Sequence, residues 1–419
     1  MKIYDCCAPL LPKFEKYMRT LILGSCLWLL TACVAGKLYA QELPPAEAAR
    51  LDTGLIYDPL LQTELSDLID YTYNYDFAKA EKEWKWLHYR YRNHPLPYLV
   101  KGLMVWWKMM PNIDKYRYDD ELLDALDKAI ELAEERLKQE PGNPEYQFYL
   151  AAAYGYKGRL YAERESWVKA AWNGKQAIKY LRREKEVTSL SVEFLFGDGL
   201  YNYYSVWIPE NYPSLRPLLV FFEKGDKQKG IEQLEEVARN AFYTRIEAYY
   251  FLIRIYALEE NQPHKATRYA RYLYEHYPNN PYFHRFYTML LFLQGRLQEM
   301  EQPAQELLRR VEDGWPGYEE ISGRYATYFL GYKAQHYEHN MRRAVEFYQK
   351  TIAYAEAIEA YDSGYYQAAL QEVAQWAESQ KNYKLAKACY AKLAKYGNER
   401  KKRREARKKG RKLRKIEED

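Results

Sequence analysis

Residues 325–355 read YATYFLGYKAQHYEHNMRRAVEFYQKTIAYA, and this stretch decides the fold class. Ala344, Tyr348 and Thr351 stand at i, i+4 and i+7, a spacing that places three side chains on one face of a helix. The apolar segment around Gly331 predicts a second helix before it. The stretch therefore predicts two helices joined by a short turn, and the small Ala344 lets the neighbouring helix approach closely.

The same triplet recurs along most of the chain, and no strand-like alternation is sustained. Its leading residue is small in most copies, which favours close contacts between helices. The triplets begin at Ala80, Ala125, Ala170, Gly230, Ala266, Met300, Ala344 and Ala386. The pattern predicts an all-α chain of about eight irregular helix pairs.

Proline-rich turns separate the predicted pairs. The segments around Pro141 and Pro278 are near copies, and their separation is close to four times a period of about 34 residues. Together with the triplets they resemble the tetratricopeptide repeat (TPR) family, whose helix-turn-helix unit has a period of about 34 residues. The resemblance implies an α-solenoid of stacked antiparallel helix pairs over residues 56–396. Most units carry insertions, and the longest falls within residues 197–230.

The composition excludes several protein classes. The chain has 419 residues, of which 48% are hydrophobic and 29% charged, so collagen-like, low-complexity and polytopic membrane proteins are excluded. It contains 45 tyrosines, an unusual number. Four of the five cysteines lie in the N-terminal segment that ends at Cys33, and Cys389 stands alone, so a disulfide framework or a cysteine-rich metal site is not predicted.

Residues 1–40 have the layout of a secretory signal, and Met18 could be the true start. Basic residues precede an uncharged apolar run over 21–30, which is too short for a membrane span. Residues 30–33 resemble a bacterial lipobox, in which Cys33 would be lipidated and would attach the chain to a membrane. The alternatives are cleavage after Ala40, giving soluble export, or a buried N-terminal helix. Residues 41–55 read as a linker.

A search for catalytic motifs finds none, so we expect no enzymatic activity, cofactor or metal. Gly197-Asp198-Gly199 lacks the third glycine of a dinucleotide site and is better explained by a close helix crossing. His336 and His339 are too few ligands for a metal centre.

The C-terminal residues 397–419 form a basic tail. From Glu399 onward it holds 12 basic and five acidic residues, while the whole chain has a net charge of +5. Runs of like charge are usually solvated, so we expect a frayed helix outside the core. Contact with an anionic surface is its predicted role, and no nucleic-acid partner is expected because the tail carries no aromatic residues for stacking.

The TPR resemblance implies that the first helix of each unit lines a concave binding face. The predicted partner-binding residues occupy that face in three units: Tyr250 and Arg254; Tyr282 and Arg285; and Tyr325, Tyr328, Tyr332 and His336. Tyrosine offers rigid contact area, and arginine binds carboxylates or stacks on rings. In the alternative interpretation, this stripe packs against the next unit.

These observations favour a non-enzymatic scaffold of the bacterial cell envelope, periplasmic or associated with the outer membrane, that binds a protein or peptide partner. Two alternatives remain. One is a glycan- or nutrient-binding lipoprotein of the outer membrane, which rests on analogy. The other is a cytosolic scaffold that uses the basic tail, and it requires that residues 1–40 are not an export signal.

Overall fold

The computed structural model describes residues 54–55, 58–182, 192–211, 213 and 223–418. Its described part contains 17 α-helices and no strand, which confirms the all-α prediction. It forms two compact units, one ending at Glu260 and one beginning at Asn261. The predicted signal segment, with Met18, the lipobox and Cys33, lies outside the described residues, as does almost all of the predicted linker.

The N-terminal unit contains nine of these helices. They are α1 (Pro59–Tyr73), α2 (Phe77–Arg90), α3 (Leu96–Met109), α4 (Asp119–Gln139), α5 (Pro144–Glu163), α6 (Trp167–Arg182), α7 (Leu195–Asn211), α8 (Lys227–Asn240) and α9 (Arg245–Arg254). Helices α1 to α6 each pack on the next, and α7, α8 and α9 do the same. A π-helical turn, Ile255–Glu259, continues α9.

The C-terminal unit contains the remaining eight. They are α10 (Pro263–His276), α11 (Pro281–Leu293), α12 (Leu297–Glu312), α13 (Glu320–His336), α14 (Met341–Ala357), α15 (Gly364–Ser379), α16 (Tyr383–Tyr396) and α17 (Arg400–Glu418). Each helix packs on the one that follows it, as a helical repeat requires. Among all the described helices, none is both long and apolar enough to cross a membrane.

The helix starts follow from the turn sequences. Asn143 and Asn280 each precede a proline, and their side chains accept hydrogen bonds from the first free backbone N–H groups of α5 and α11. Asparagine at this position satisfies donors that a helix leaves unpaired, and the proline fixes the backbone angle of the first turn. The near-copied proline turns therefore begin equivalent helices.

The small residues of the triplets lie at close helix contacts, as predicted. All eight leading residues are buried. At Gly230 a Cβ atom would lie 2.7 Å from the carbonyl oxygen of Gly199, so only glycine fits at this crossing of α7 and α8. This contact confirms the structural explanation of Gly197-Asp198-Gly199.

The basic tail differs from the expected solvated helix. Residues 400–418 form α17, which packs on α16 and buries Ala406 and Leu413. The half-buried Arg403 lies three residues before Ala406 on this narrow face, most of the other charges lie on the remaining faces, and a Cβ atom at Gly410 would meet no other atom within 4 Å. Lys409 also donates a hydrogen bond of 2.9 Å to the Tyr390 hydroxyl.

Candidate functional site

The predicted aromatic stripe of α13 is largely packed inside the C-terminal unit. Tyr328 and Tyr332 are only 5% and 9% exposed. The Tyr328 ring lies 4.6 Å from the ring of Tyr365 on α15, and the Tyr332 ring lies 5.1 Å from that of Phe292 on α11. These contacts favour the packing alternative for both tyrosines, and their role in partner binding stays a prediction.

The other predicted residues of this unit lie beside them. Tyr325 is half-buried, with its ring 5.0 Å from that of Tyr365, and the exposed His336 ring lies tilted, 4.3 Å from the Tyr332 ring. Arg285 donates a 3.0 Å hydrogen bond to the Ser322 hydroxyl and lies over the rings of Tyr282 and Tyr325. The structure therefore places five of these six residues between neighbouring helices, while His336 lies exposed at the end of α13.

Tyr250 and Arg254 lie in the N-terminal unit, where both are buried and line a cavity of about 770 Å³. The size is typical of ligand pockets in proteins. Its walls are stripes of residues along 148–162 of α5, 170–181 of α6, 196–210 of α7 and 243–259 around α9, completed by α3. The lining residues recur mainly at three- and four-residue intervals, with one five-residue step from Arg254 to Glu259, so the cavity runs along the helices.

Most of the wall is apolar. Helix α3 contributes Leu96, Leu99, Val100 and Leu103, and α6 contributes Ala170, Ala177, Ile178 and Leu181. Two glycines make room within this wall. A Cβ atom at Gly155 or at Gly174 would meet no other atom within 4 Å, although both residues lie inside helices. Glycine lowers helix stability relative to alanine, so at these two positions the helices are less stable and the cavity is wider than with a larger residue.

A network of buried polar groups forms the middle of the opposite wall. The Glu247 carboxylate accepts hydrogen bonds from Trp107 Nε1 at 2.9 Å and from the Tyr73 hydroxyl at 3.3 Å. Arg159 lies 3.8 Å from the same carboxylate, donates a 2.6 Å hydrogen bond to the Tyr250 hydroxyl, and stacks on the Trp106 ring. Burial raises the pKa of Glu247, while the charge of Arg159 and the hydrogen bonds lower it.

One end of the cavity carries a second acidic group. The Tyr204 hydroxyl donates a 2.9 Å hydrogen bond to Oε1 of Glu259, while Oε2 is buried without a hydrogen-bond partner. Burial raises the pKa of Glu259 to about 7, against the opposing charge of Arg254. Burial likewise raises the pKa of Glu163 to about 7, and the charge of Arg254 acts on this carboxyl as well.

The π-helical turn places Glu259 at this end. Glu260 N–H bonds the carbonyl of Ile255 at 2.8 Å, five residues back, so the turn holds one more residue than an α-helical turn. Such wide turns inside helices occur frequently at functional sites.

The other end is organised by Glu193. Its carboxylate accepts hydrogen bonds of 2.6–2.9 Å from the backbone N–H groups of Phe242, Tyr243 and Thr244, which fixes the loop before α9. Tyr243 lines the cavity, and its hydroxyl is buried without a partner. Burial raises the Tyr243 pKa above its usual value.

Unsatisfied polar atoms are concentrated at this cavity. Across the described residues, eight buried side-chain polar atoms have no hydrogen-bond partner. Three of them belong to residues that line the cavity: Arg159 Nε, Tyr243 Oη and Glu259 Oε2. A buried polar atom without a partner costs free energy, and a bound ligand is one way to satisfy it. The arrangement is suited to binding an elongated molecule that is apolar along most of its length.

The sequence predicted Tyr250 and Arg254 as partner-binding residues, which stays a prediction, and it did not predict the cavity that they line. The signal in the sequence was charged residues within apolar helices. Glu247 and Arg254 stand seven residues apart on α9, which puts them on one helix face, and Arg159 follows the run of small residues on α5. No group of three metal-binding side chains occurs in the part of the chain that the structure describes.

Comparisons with known proteins leave the family open. No family model matches this chain, and a search of curated proteins gives no match.

Proposed function

We propose that this chain is a non-catalytic binding protein and that the cavity of the N-terminal unit is its ligand site. The observation that carries the proposal is the concentration of unsatisfied polar atoms in an otherwise apolar cavity of about 770 Å³. The apolar α3 and α6 walls favour an apolar ligand over a glycan, because sugar hydroxyls need many polar partners. The proposal keeps binding as the function but moves the site away from the α13 stripe.

The fold supports a finer assignment that is also a proposal. The helix pairs are TPR-like units, because small residues lead the recurring triplets and each of these lies at a buried position. Solenoids of this kind present surfaces for binding rather than chemistry.

Export to the cell envelope is a proposal that rests on the sequence of residues 1–40. Labelling cells with a radioactive fatty acid should mark the protein, and Cys33→Ser should abolish the label. A mature chain that begins at Gln41 would indicate soluble export instead. A chain that keeps Met1 and stays in the cytosol would contradict both and favour the cytosolic alternative.

The binding proposal is tested with a neutral apolar fluorophore, N-phenyl-1-naphthylamine. The protein should bind it saturably, and Gly155→Leu should abolish binding because the new side chain fills open cavity space. The folded state should survive, since leucine is a far better helix former than glycine. Gly410→Leu is the matched control, because that helical glycine also has open space around it but lies on α17, outside the cavity lining.

Unchanged fluorophore binding by Gly155→Leu and by the equivalent Gly174→Leu would reject the cavity as the site. Absence of any saturable binding to the unmodified protein would reject the proposed function.

A further inference from the structure

The shape of the cavity restricts its ligand. The α5 stripe from Phe148 to Ala162 is about 20 Å long at the helical rise of ~1.5 Å per residue. A volume of about 770 Å³ over that length gives an average cross-section of about 40 Å². The cavity is therefore several times longer than it is wide and suits an elongated ligand.

The number of hydrogen bonds that a ligand needs distinguishes an extended peptide from a hydrocarbon chain. An extended peptide of about six residues would span the cavity and would bring about twelve backbone donors and acceptors that need partners. The lining offers three unsatisfied side-chain atoms: Arg159 Nε, Tyr243 Oη and Glu259 Oε2. A hydrocarbon chain brings no such groups, and it matches the leucines of α3 and the alanines of α6.

The end near Glu259 determines the polar group of the ligand. Glu259 Oε2 is a buried acceptor, so the complementary head must donate a hydrogen bond. Glu260 adds negative charge close to Glu259, while the opposing positive charge of Arg254 also acts on Glu163. Glu260 is engaged by Lys227 at 2.9 Å and by the Tyr203 hydroxyl at 2.7 Å, which leaves Glu259 as the group that faces the cavity. A carboxylate head would meet like charge here.

We propose that the cavity binds a single-chain amphiphile, a long alkyl chain ending in an alcohol or an amine, with the chain along α3, α6 and α7 and the head at Glu259. This inference rests on the proposed function, and it names the ligand class of the same site.

Three probes with the same chain length test the head group: dodecylamine, dodecanol and dodecanoate. Each is titrated against protein loaded with N-phenyl-1-naphthylamine at pH 8, above the Glu259 pKa of about 7. The amine and the alcohol should displace the fluorophore, and the amine should do so at a concentration about ten-fold lower than dodecanoate. A roughly ten-fold difference in affinity corresponds to the free energy of about one charge-assisted hydrogen bond. Dodecanoate displacing as well as the amine would overturn the proposal.

Variants assign the preference to one carboxylate. Glu259→Gln should remove most of the advantage of the amine and retain binding of the alcohol, because the amide oxygen still accepts a hydrogen bond. Glu232→Gln is the matched control, since Glu232 lies exposed on α8 and outside the cavity lining. An unchanged preference in Glu259→Gln would reject the head position.

The outcomes separate this inference from the proposed function. In one outcome, the fluorophore binds to the unmodified protein and not to Gly155→Leu, while none of the three probes displaces it. That result would reject the amphiphile and would leave the cavity as a binding site. Displacement by a six-residue apolar peptide at lower concentration than any probe would assign a peptide ligand instead. Loss of fluorophore binding altogether would reject the site itself.

Discussion

Two helical glycines have opposite surroundings, although the sequence does not distinguish them. Gly155 faces open space, whereas a Cβ atom at Gly331 would lie 2.9 Å from the ring of Tyr348. We expect Gly155→Ala to raise the free energy of unfolding by about 0.5–1 kcal/mol through helix propensity. Gly331→Ala should lower it by about 1–3 kcal/mol through overpacking. Chemical denaturation measures both, and a stabilised Gly331→Ala would contradict the packing of α13 on α14.

The tyrosines of α13 give a second prediction for single residues. Because Tyr328 and Tyr332 are buried among rings, replacing both by alanine should lower the free energy of unfolding by several kcal/mol, since one aromatic-to-alanine change in a core costs about 3–5 kcal/mol. Tyr89→Ala is the control, because that ring is 85% exposed and should change stability by less than about 0.5 kcal/mol. A double variant that melts near the unmodified protein while losing a partner would restore the binding hypothesis.

The buried carboxyl of Glu259 makes stability depend on pH. Its pKa rises from 4.5 to about 7 on folding, so the folded chain holds a proton that the unfolded chain releases between these values. Stability therefore falls as pH rises from 4.5 to 7. Glu163 has the same sign, whereas His94 and His284, whose pKa burial lowers to about 4, add stability as pH rises from 4 to 6.5.

Comparison with Glu259→Gln isolates one group, because the other three titrate in both proteins. The melting temperature of the variant relative to the unmodified protein should rise between pH 5 and pH 8, since glutamine cannot ionise. A difference that stays constant over this range would show that the Glu259 carboxyl is not perturbed.

At the level of elements, α17 illustrates how a charged helix contributes to a core. Leu413→Ser should lower the melting temperature of the protein, because Leu413 is 5% exposed and its loss leaves a gap against α16. Lys412→Ser, the adjacent exposed position, is the control and should have little effect. Equal melting temperatures for the two variants and the unmodified protein would show that α17 is solvated, as the charge run alone predicts.

The helices could be predicted from the sequence because their signals are local. The triplets starting at Ala266 and Ala344 identify α10 and α14, and Asn280-Pro281 marks the start of α11. The stripe of α17 was also present, as the spacing of Ala406 and Leu413, but twelve basic residues obscured it.

The cavity could not be predicted in the same way. Its walls combine α3, α5, α6, α7 and α9, and whether space remains among them depends on side chains that are distant in sequence. Gly155 and Gly158 are three residues apart on α5, yet a Cβ atom at Gly158 would meet Gly174 at 3.3 Å and one at Gly155 would meet nothing. Only the packed structure distinguishes a glycine that allows contact from one that leaves space.

At the level of the whole molecule, the chain divides where the sequence predicted one continuous array. Contacts cluster within residues up to Glu260 and from Asn261 onward. We expect residues 261–419, produced alone, to show a helical circular dichroism spectrum and a cooperative thermal transition, because a compact unit has its own core. A fragment starting at residue 281 is the control and should be less stable, since it lacks α10. A non-cooperative transition of the longer fragment would contradict the division.

The extra residue in the turn Ile255–Glu259 sets the angular position of Glu259 about the helix axis. Each residue of an α-helix rotates the chain by about 100° about that axis, so in a regular α-helix Leu258, four residues after Arg254, would continue the lining stripe. The π-helical turn takes up one more residue, and Glu259 occupies that place instead. Deleting Leu258 would therefore leave a glutamate facing the cavity, whereas α-helical hydrogen bonding of the unchanged sequence would put a leucine there. The hydrogen-bond spacing of one turn thus decides whether this end of the cavity is acidic or apolar.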